Sequence, residues 1–146
     1  MGKTPSKFNY IDMLATAWMK KWGLLFLRYS LALIFIWFGF YKIVGVSSAT
    51  ELVAKTVYWV SPTWFVPLLG WWEVLIGVCL LVRPLIRVGL FLMAFQMMGT
   101  FLPFVILPHV TFESFPFVLS MEGQYIMKNI VLISAAIVVG SGVREE

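Results

Sequence analysis

Apolar residues run almost unbroken through four stretches of the chain, at about 22–42, 62–82, 85–107 and 124–143. Each approaches or exceeds the roughly 20 apolar residues that carry a helix across a bilayer. The fold class this predicts is all-α: an integral membrane four-helix transmembrane bundle occupying residues 22–143. Ahead of it the pattern changes. Ile11, Leu14, Ala15, Trp18 and Trp22 recur at helical spacing, flanked by Lys7, Lys20 and Lys21. Residues 1–21 therefore read as an N-terminal interfacial amphipathic helix on the cytoplasmic side. Residues 144–146 are left as a short tail.

The connections carry their own signals. Ser61 and Pro62 suit the cap and first position of the second span, where the missing proline N–H costs nothing. Ser48-Ala-Thr-Glu51 reads as a capping box before LVAKTVYWV, which predicts a short interfacial helix ending before Pro62. The 108–123 connection is polar and aromatic with two prolines, and is expected to fold back against the membrane with Phe112, Phe115 and Phe117 dipping in. The stretch from Lys20 through Leu33 begins like a signal peptide, but its apolar run is too long for one and no cleavage site follows. It reads as an uncleaved first span. MGKTPS fits an acylation pattern, which a multi-span protein does not need.

Composition sharpens this picture. The 146 residues are 61% hydrophobic and 12% charged, about half the charge of an ordinary soluble domain. The net charge of +4 comes from basic residues near helix ends, so it marks topology and not nucleic-acid binding. Lys3, Lys7, Lys20, Lys21, Arg83, Arg87 and Arg144 fall on one side of the bundle. The opposite connections hold only Lys55, so both termini are expected in the cytoplasm of a bacterial inner membrane. A lone cysteine, Cys79, excludes an internal disulfide or a CxxC redox pair, and a lone histidine, His109, excludes bis-histidine haem ligation within one chain. There is no metal-ligand set and no self-sufficient catalytic or cofactor set. Any enzymatic role would belong to a larger membrane oxidoreductase complex.

The informative residues are the polar ones inside the spans, because hydrocarbon makes them expensive. Counting the helical rise from each inner end, Arg28 lies at about 9 Å, Glu73 at about 15 Å, Gln96 at about 16 Å, Lys128 and Asn129 at about 21–23 Å and Lys42 at about 30 Å. Arg28, Ala32, Phe35, Gly39 and Lys42 share one face of the first span, and Gly70, Glu73 and Gly77 one face of the second. Gly89, Gln96, Thr100 and Pro103 align on the third, and Asn129, Ile133, Ala136 and Gly140 on the fourth. Small residues beside polar ones mark packed faces, so the polar groups are expected to point inward as a ladder, with Lys128 and Arg28 within reach of Glu73. Arg28 and Lys42 alternatively snorkel to the two interfaces.

Two readings of this ladder stay open. One is a salt-bridge and hydrogen-bond network that fixes helix packing. The other is a site for a quinone headgroup, a small polar substrate or a proton, with Trp71 and Trp72 offering ring contacts. His109, Glu122 and Gln124 are outer-interface candidates for the same site. Cys79 and the eight methionines read as packing residues.

Trp37-Phe-Gly-Phe-Tyr-Lys42 resembles the WxGxxK-type pattern of DoxX-like membrane proteins. Gly70-Trp-Trp-Glu73-Val-Leu-Ile-Gly77 resembles that family's G-x-x-E-x-x-x-G region, and Glu122 to Asn129 the start of its fourth span. The resemblance covers about residues 22–143. It implies a small four-helix bundle associated with redox chemistry, no intrinsic cofactor but a bound quinone, and partner subunits in the bilayer. It points to Lys42, Glu73, Lys128 and Asn129. The function expected is thus a redox-associated, quinone-linked or oxidative-stress-linked membrane protein. The alternatives are a non-catalytic accessory subunit or a small-molecule carrier.

Overall fold

The computed structural model describes residues 7–144. MGKTPS, with Lys3, and Glu145 and Glu146 of the tail lie outside the described residues, as does the side chain of Lys7. Helix α1 (Lys7–Ile43) leads through a loop to α2 (Thr50–Thr56) and then to α3 (Pro62–Leu81). A single 3-10 turn at Arg83–Leu85 reverses the chain into α4 (Ile86–Thr100), which α5 (Leu102–Ile106) prolongs. Then come α6 (Pro108–Thr111), a two-stranded hairpin of β1 (Phe112–Ser114) and β2 (Val118–Leu119), α7 (Met121–Met127) and α8 (Asn129–Gly142). Among the described residues, four helical segments are long and apolar enough to cross a membrane: Phe8–Ile43, Pro62–Leu81, Arg83–Ile106 and Met121–Gly142. The protein is a helical membrane bundle.

The boundary placed at residue 21 is not a break. Residues 7–21 are helical, but they continue into the first span as one helix of 37 residues, about 55 Å long by its rise. Lys20-Lys21-Trp22-Gly23 holds no proline to interrupt the hydrogen-bond ladder. Apart from half-buried Thr16, the helix is exposed up to Gly23, and sustained burial begins only with half-buried Leu24.

Glycine decides how α1 and α3 meet. A Cβ on Gly70 would stand 2.6 Å from the Gly39 carbonyl oxygen, and one on Gly77 2.7 Å from that of Ala32. The two backbones are thus in contact along an antiparallel seam, as small residues permit in hydrocarbon. Gly89 does the same for α4, where a Cβ would meet Cys79 Cβ at 2.9 Å. Leu31, Phe35, Ile76, Leu80, Ile86 and Met93 fill the space between. Cys79 is buried there as a packing residue.

Two spans are interrupted. Pro103 lacks an N–H for the Gly99 carbonyl, and α4 gives way to α5 at Phe101. In the fourth span a tightened turn at Lys128, where Val131 N–H donates to the Lys128 carbonyl at 3.0 Å, separates α7 from α8. The buried face of α8 is Asn129, Ala135, Val139 and Gly142. Of the face expected from the sequence, Asn129 is buried and Ile133 and Ala136 pack against the core, whereas Gly140 is exposed and Gly142, packed on Leu24, takes the buried place at that end.

The connections differ in detail from their sequence signals. Helix α2 forms, but its cap position is Ala49 and no side chain caps it. Glu51 and Lys55 pair along its surface at 2.6 Å. The strongest cap is instead at α7, where Ser120 Oγ accepts from Gly123 N–H at 3.1 Å and donates to the Val110 carbonyl at 2.6 Å. Gly123 is required there because a Cβ would overlap the Thr111 carbonyl. Phe112 packs between Phe104 and Phe115, while Phe115 and Phe117 are exposed on the hairpin.

Gly70→Ala is expected to lower stability by about 1–3 kcal/mol, since the overlap with backbone outweighs the gain in helix propensity. Gly23→Ala, with nothing within 4 Å of its Cβ, is the control and should leave the melting temperature equal or higher. Thermal unfolding in detergent measures both, and an unaffected Gly70→Ala variant would refute the close seam.

Candidate functional site

Side chains on a helix lean toward its N-terminus. Because α1 and α3 are antiparallel, Lys42 on α1 and Glu73 on α3 lean toward each other. Their side chains meet: Lys42 Nζ donates to Glu73 Oε1 at 2.8 Å and to Oε2 at 2.6 Å. Both residues are buried. From α4, Gln96 Nε2 donates to Glu73 Oε1 at 2.5 Å. Three helices therefore contribute to one network, and the carboxylate takes three hydrogen bonds. Neither ion would be tolerated there alone.

Glu73 is thus answered by Lys42, and not by Lys128 or Arg28 as its estimated depth suggests. The Gly39–Gly70 and Ala32–Gly77 contacts set Glu73 level with residue 36 of α1. Lys42 is then six residues, or about 9 Å, further along instead of the 15 Å that separate span boundaries imply. The lean of two long side chains closes that gap. Helix α1 has no boundary at residue 22, since it runs unbroken from Lys7 to Ile43. Arg28 falls about 12 Å to the other side of Glu73. It is buried, and its guanidinium lies over the Tyr29 ring at 5.1 Å.

A cavity of about 420 Å³ adjoins the ion pair. Its walls come from α1, α2, α3, α4, α5, α7 and α8, and they are mostly apolar: Phe35, Phe38, Leu52, Val53, Phe65, Leu69, Trp72, Phe95, Met97 and Leu132. Lys42, Glu73, Gln96, Thr100, Tyr125, Lys128 and Asn129 supply the polar part. Lys128 Nζ rests over the Tyr125 ring at 3.6 Å and the Phe38 ring at 4.9 Å from their centroids. Asn129 is 7% exposed and has no side-chain hydrogen bond among the described residues. Gln96 turns its amide nitrogen to Glu73, because an ionised carboxylate only accepts. That leaves Gln96 Oε1 buried without a partner.

Of the residues singled out from sequence, Lys42, Glu73, Gln96, Lys128, Asn129 and Trp72 come together around this cavity. Trp72 Nε1 donates to the Leu92 carbonyl at 3.4 Å, which holds the ring beside Phe95. Trp71 is exposed and points away. Arg28, His109, Glu122 and Gln124 do not line the cavity. His109 is exposed on α6, Glu122 is an exposed acid in the first turn of α7, and Gln124 Nε2 reaches back to the Leu119 carbonyl at 3.3 Å. A negative charge at a helix N-terminus is stabilising on its own account. Tyr125, Phe38 and the inner face of α2 escaped the sequence reading. Tyr125 sits three residues before Lys128 on the same helical face, and that spacing was the available signal.

These features define a multi-pass helical membrane protein with a polar-floored cavity between its spans. The chain matches the DoxX family over residues 23–106, more than half its length, and it belongs to that family. No curated protein and no solved structure gives a match. The matched region holds Lys42, Glu73 and Gln96, whereas Lys128 and Asn129 lie beyond it.

Lys42→Met should destabilise the protein by ~3–5 kcal/mol, because it strands a buried carboxylate. The double variant Lys42→Met/Glu73→Gln should recover a large part of that loss. Chemical unfolding of both singles and the double in one detergent measures the coupling. Strictly additive effects would count against a mutual ion pair.

Proposed function

We propose that this DoxX-family protein holds a small amphipathic molecule in the cavity, a quinone being the redox-active class that suits it, and serves a membrane redox process together with partner subunits. The observation carrying this reading is the cavity itself. Its volume of about 420 Å³ falls in the range of small-molecule sites, and its apolar walls with a few convergent polar groups are what such sites use. A quinone ring would lie against Trp72 and Phe95, with its carbonyl oxygens accepting from Lys128 and Asn129. The quinone would be a bound ligand and not an intrinsic cofactor. Distribution of lysine and arginine supports an orientation in a bacterial inner membrane with both termini cytoplasmic.

A second reading is favoured by one observation. The Lys42–Glu73–Gln96 network is neutral and joins three helices, as an architectural element of an accessory subunit would. The carrier alternative would use Glu73, whose carboxylate is already engaged by Lys42 and Gln96.

Gentle purification followed by solvent extraction and mass spectrometry tests the proposal. The expected result is near-stoichiometric quinone with the wild-type protein, reduced about tenfold, a change of about 1.4 kcal/mol, in Lys128→Ala and Asn129→Ala at unchanged melting temperature. Wild-type protein that retains stoichiometric partner subunits but no quinone would favour the accessory reading. For orientation, a carboxyl-terminal fluorescent-protein fusion should fluoresce and an alkaline phosphatase fusion should be inactive. The reverse pattern would invert the topology.

A further inference from the structure

The cavity faces two ammonium groups and one carboxylate. Lys42 and Glu73 cancel each other, which leaves the charge of Lys128 uncompensated. Lys128 has no carboxylate and no hydrogen-bond acceptor among the described residues, only the faces of Tyr125 and Phe38. Aromatic faces attract an ammonium, but they leave its N–H donors without oxygen acceptors. Next to it in sequence, Asn129 lines the same cavity, is 7% exposed and has no side-chain hydrogen bond among the described residues. A buried carboxamide costs free energy until something bonds to it. Two adjacent donors, an exposed cation at the cavity's rim and a buried amide beside it, thus have no protein acceptor at the polar end of an apolar cavity.

We infer that the cavity selects its ligand by head-group charge and takes an amphiphile with an anionic oxygen head, such as a carboxylate. Its oxygens accept from Lys128 Nζ and Asn129 Nδ2, and its apolar body lies along the wall. Charge-assisted hydrogen bonds are stronger than neutral ones. A neutral head accepts the same hydrogen bonds without the Coulomb attraction, and a cationic head is repelled by Lys128. Lys128 is on this account the residue that sets specificity, while Lys42 is occupied by Glu73. The inference rests on the ligand-cavity reading above and goes beyond the quinone, whose neutral head uses the same donors without the charge.

Tail-matched probes separate the contributions. Protein in nanodiscs of zwitterionic lipid is dialysed to equilibrium against labelled decanoate, decanol, decylammonium and a decyl-substituted quinone, with empty nanodiscs subtracted. The expected result is saturable decanoate binding, about tenfold tighter than decanol, with decylammonium weakest. Lys128→Gln should abolish the preference for decanoate and Lys128→Arg should keep it. Equal binding of decanoate and decanol, or a preference that survives Lys128→Gln, would overturn the inference. Quinone binding without charge discrimination would sink it and spare the proposed function. Charge-selective decanoate binding without quinone binding would do the opposite, and saturable binding of no probe would sink both.

Discussion

Two opposite charges in a low-dielectric interior are tolerable only together, and the Lys42–Glu73 pair imposes that condition on the whole bundle. The pair needs α1 and α3 close, antiparallel and in one register. Glycines 39, 70 and 77 provide the closeness, since their missing Cβ atoms let carbonyl groups approach the opposite backbone. The lean of helical side chains toward their own N-termini does the rest, bringing a lysine and a glutamate from different levels to hydrogen-bonding distance. Gln96 then ties α4 to the same carboxylate, so its position follows from the pair and not the reverse.

The cavity is a consequence of what the bundle does not do near that pair. Instead of four straight helices closing on one another, the third span bends at Phe101 and the fourth tightens at Lys128. Helix α2 packs against α3 and α5 and contributes Leu52, Val53 and Thr56 to the wall. A hydrocarbon-filled seam would be the cheaper arrangement for packing alone. Here the opening coincides with the polar side chains of Gln96, Lys128 and Asn129. Coincidence of open space with unanswered polar groups distinguishes this region from the close-packed half of the bundle around Leu31, Ile76 and Leu80.

The polar residues at the start of the fourth span divide into two jobs that look alike in one dimension. Glu122 and Gln124 belong to the beginning of α7, where Ser120 caps the helix and Gly123 lets it pass the Thr111 carbonyl. Lys128 and Asn129, one turn further on, belong to the cavity. The same contrast separates Trp71, which is exposed, from Trp72, whose indole is anchored to the Leu92 carbonyl. Adjacent helical positions are about 100° apart, so neighbours in sequence commonly serve different surroundings.

The four spans, their order and the inward faces of the first three were legible in the sequence, because hydropathy and 3.6-residue periodicity act locally and need no knowledge of neighbours. Family membership was legible for a related reason: Lys42, Glu73, Gly70 and Gly77 are short-range patterns within single helices. The partner of Glu73 was not legible. It depends on the offset between α1 and α3, and that offset is set by glycine contacts and by a helix that runs on past the expected boundary at residue 22. The placing of the end of α8, which buries Val139 and Gly142 and leaves Gly140 exposed, depends likewise on Leu24 across the interface. The sequence by itself determined which residues are buried in hydrocarbon and which helical faces are polar. Only the tertiary structure decided which charges neutralise each other and which remain unanswered, because pairing requires the relative height of helices that the chain connects through loops of no fixed length.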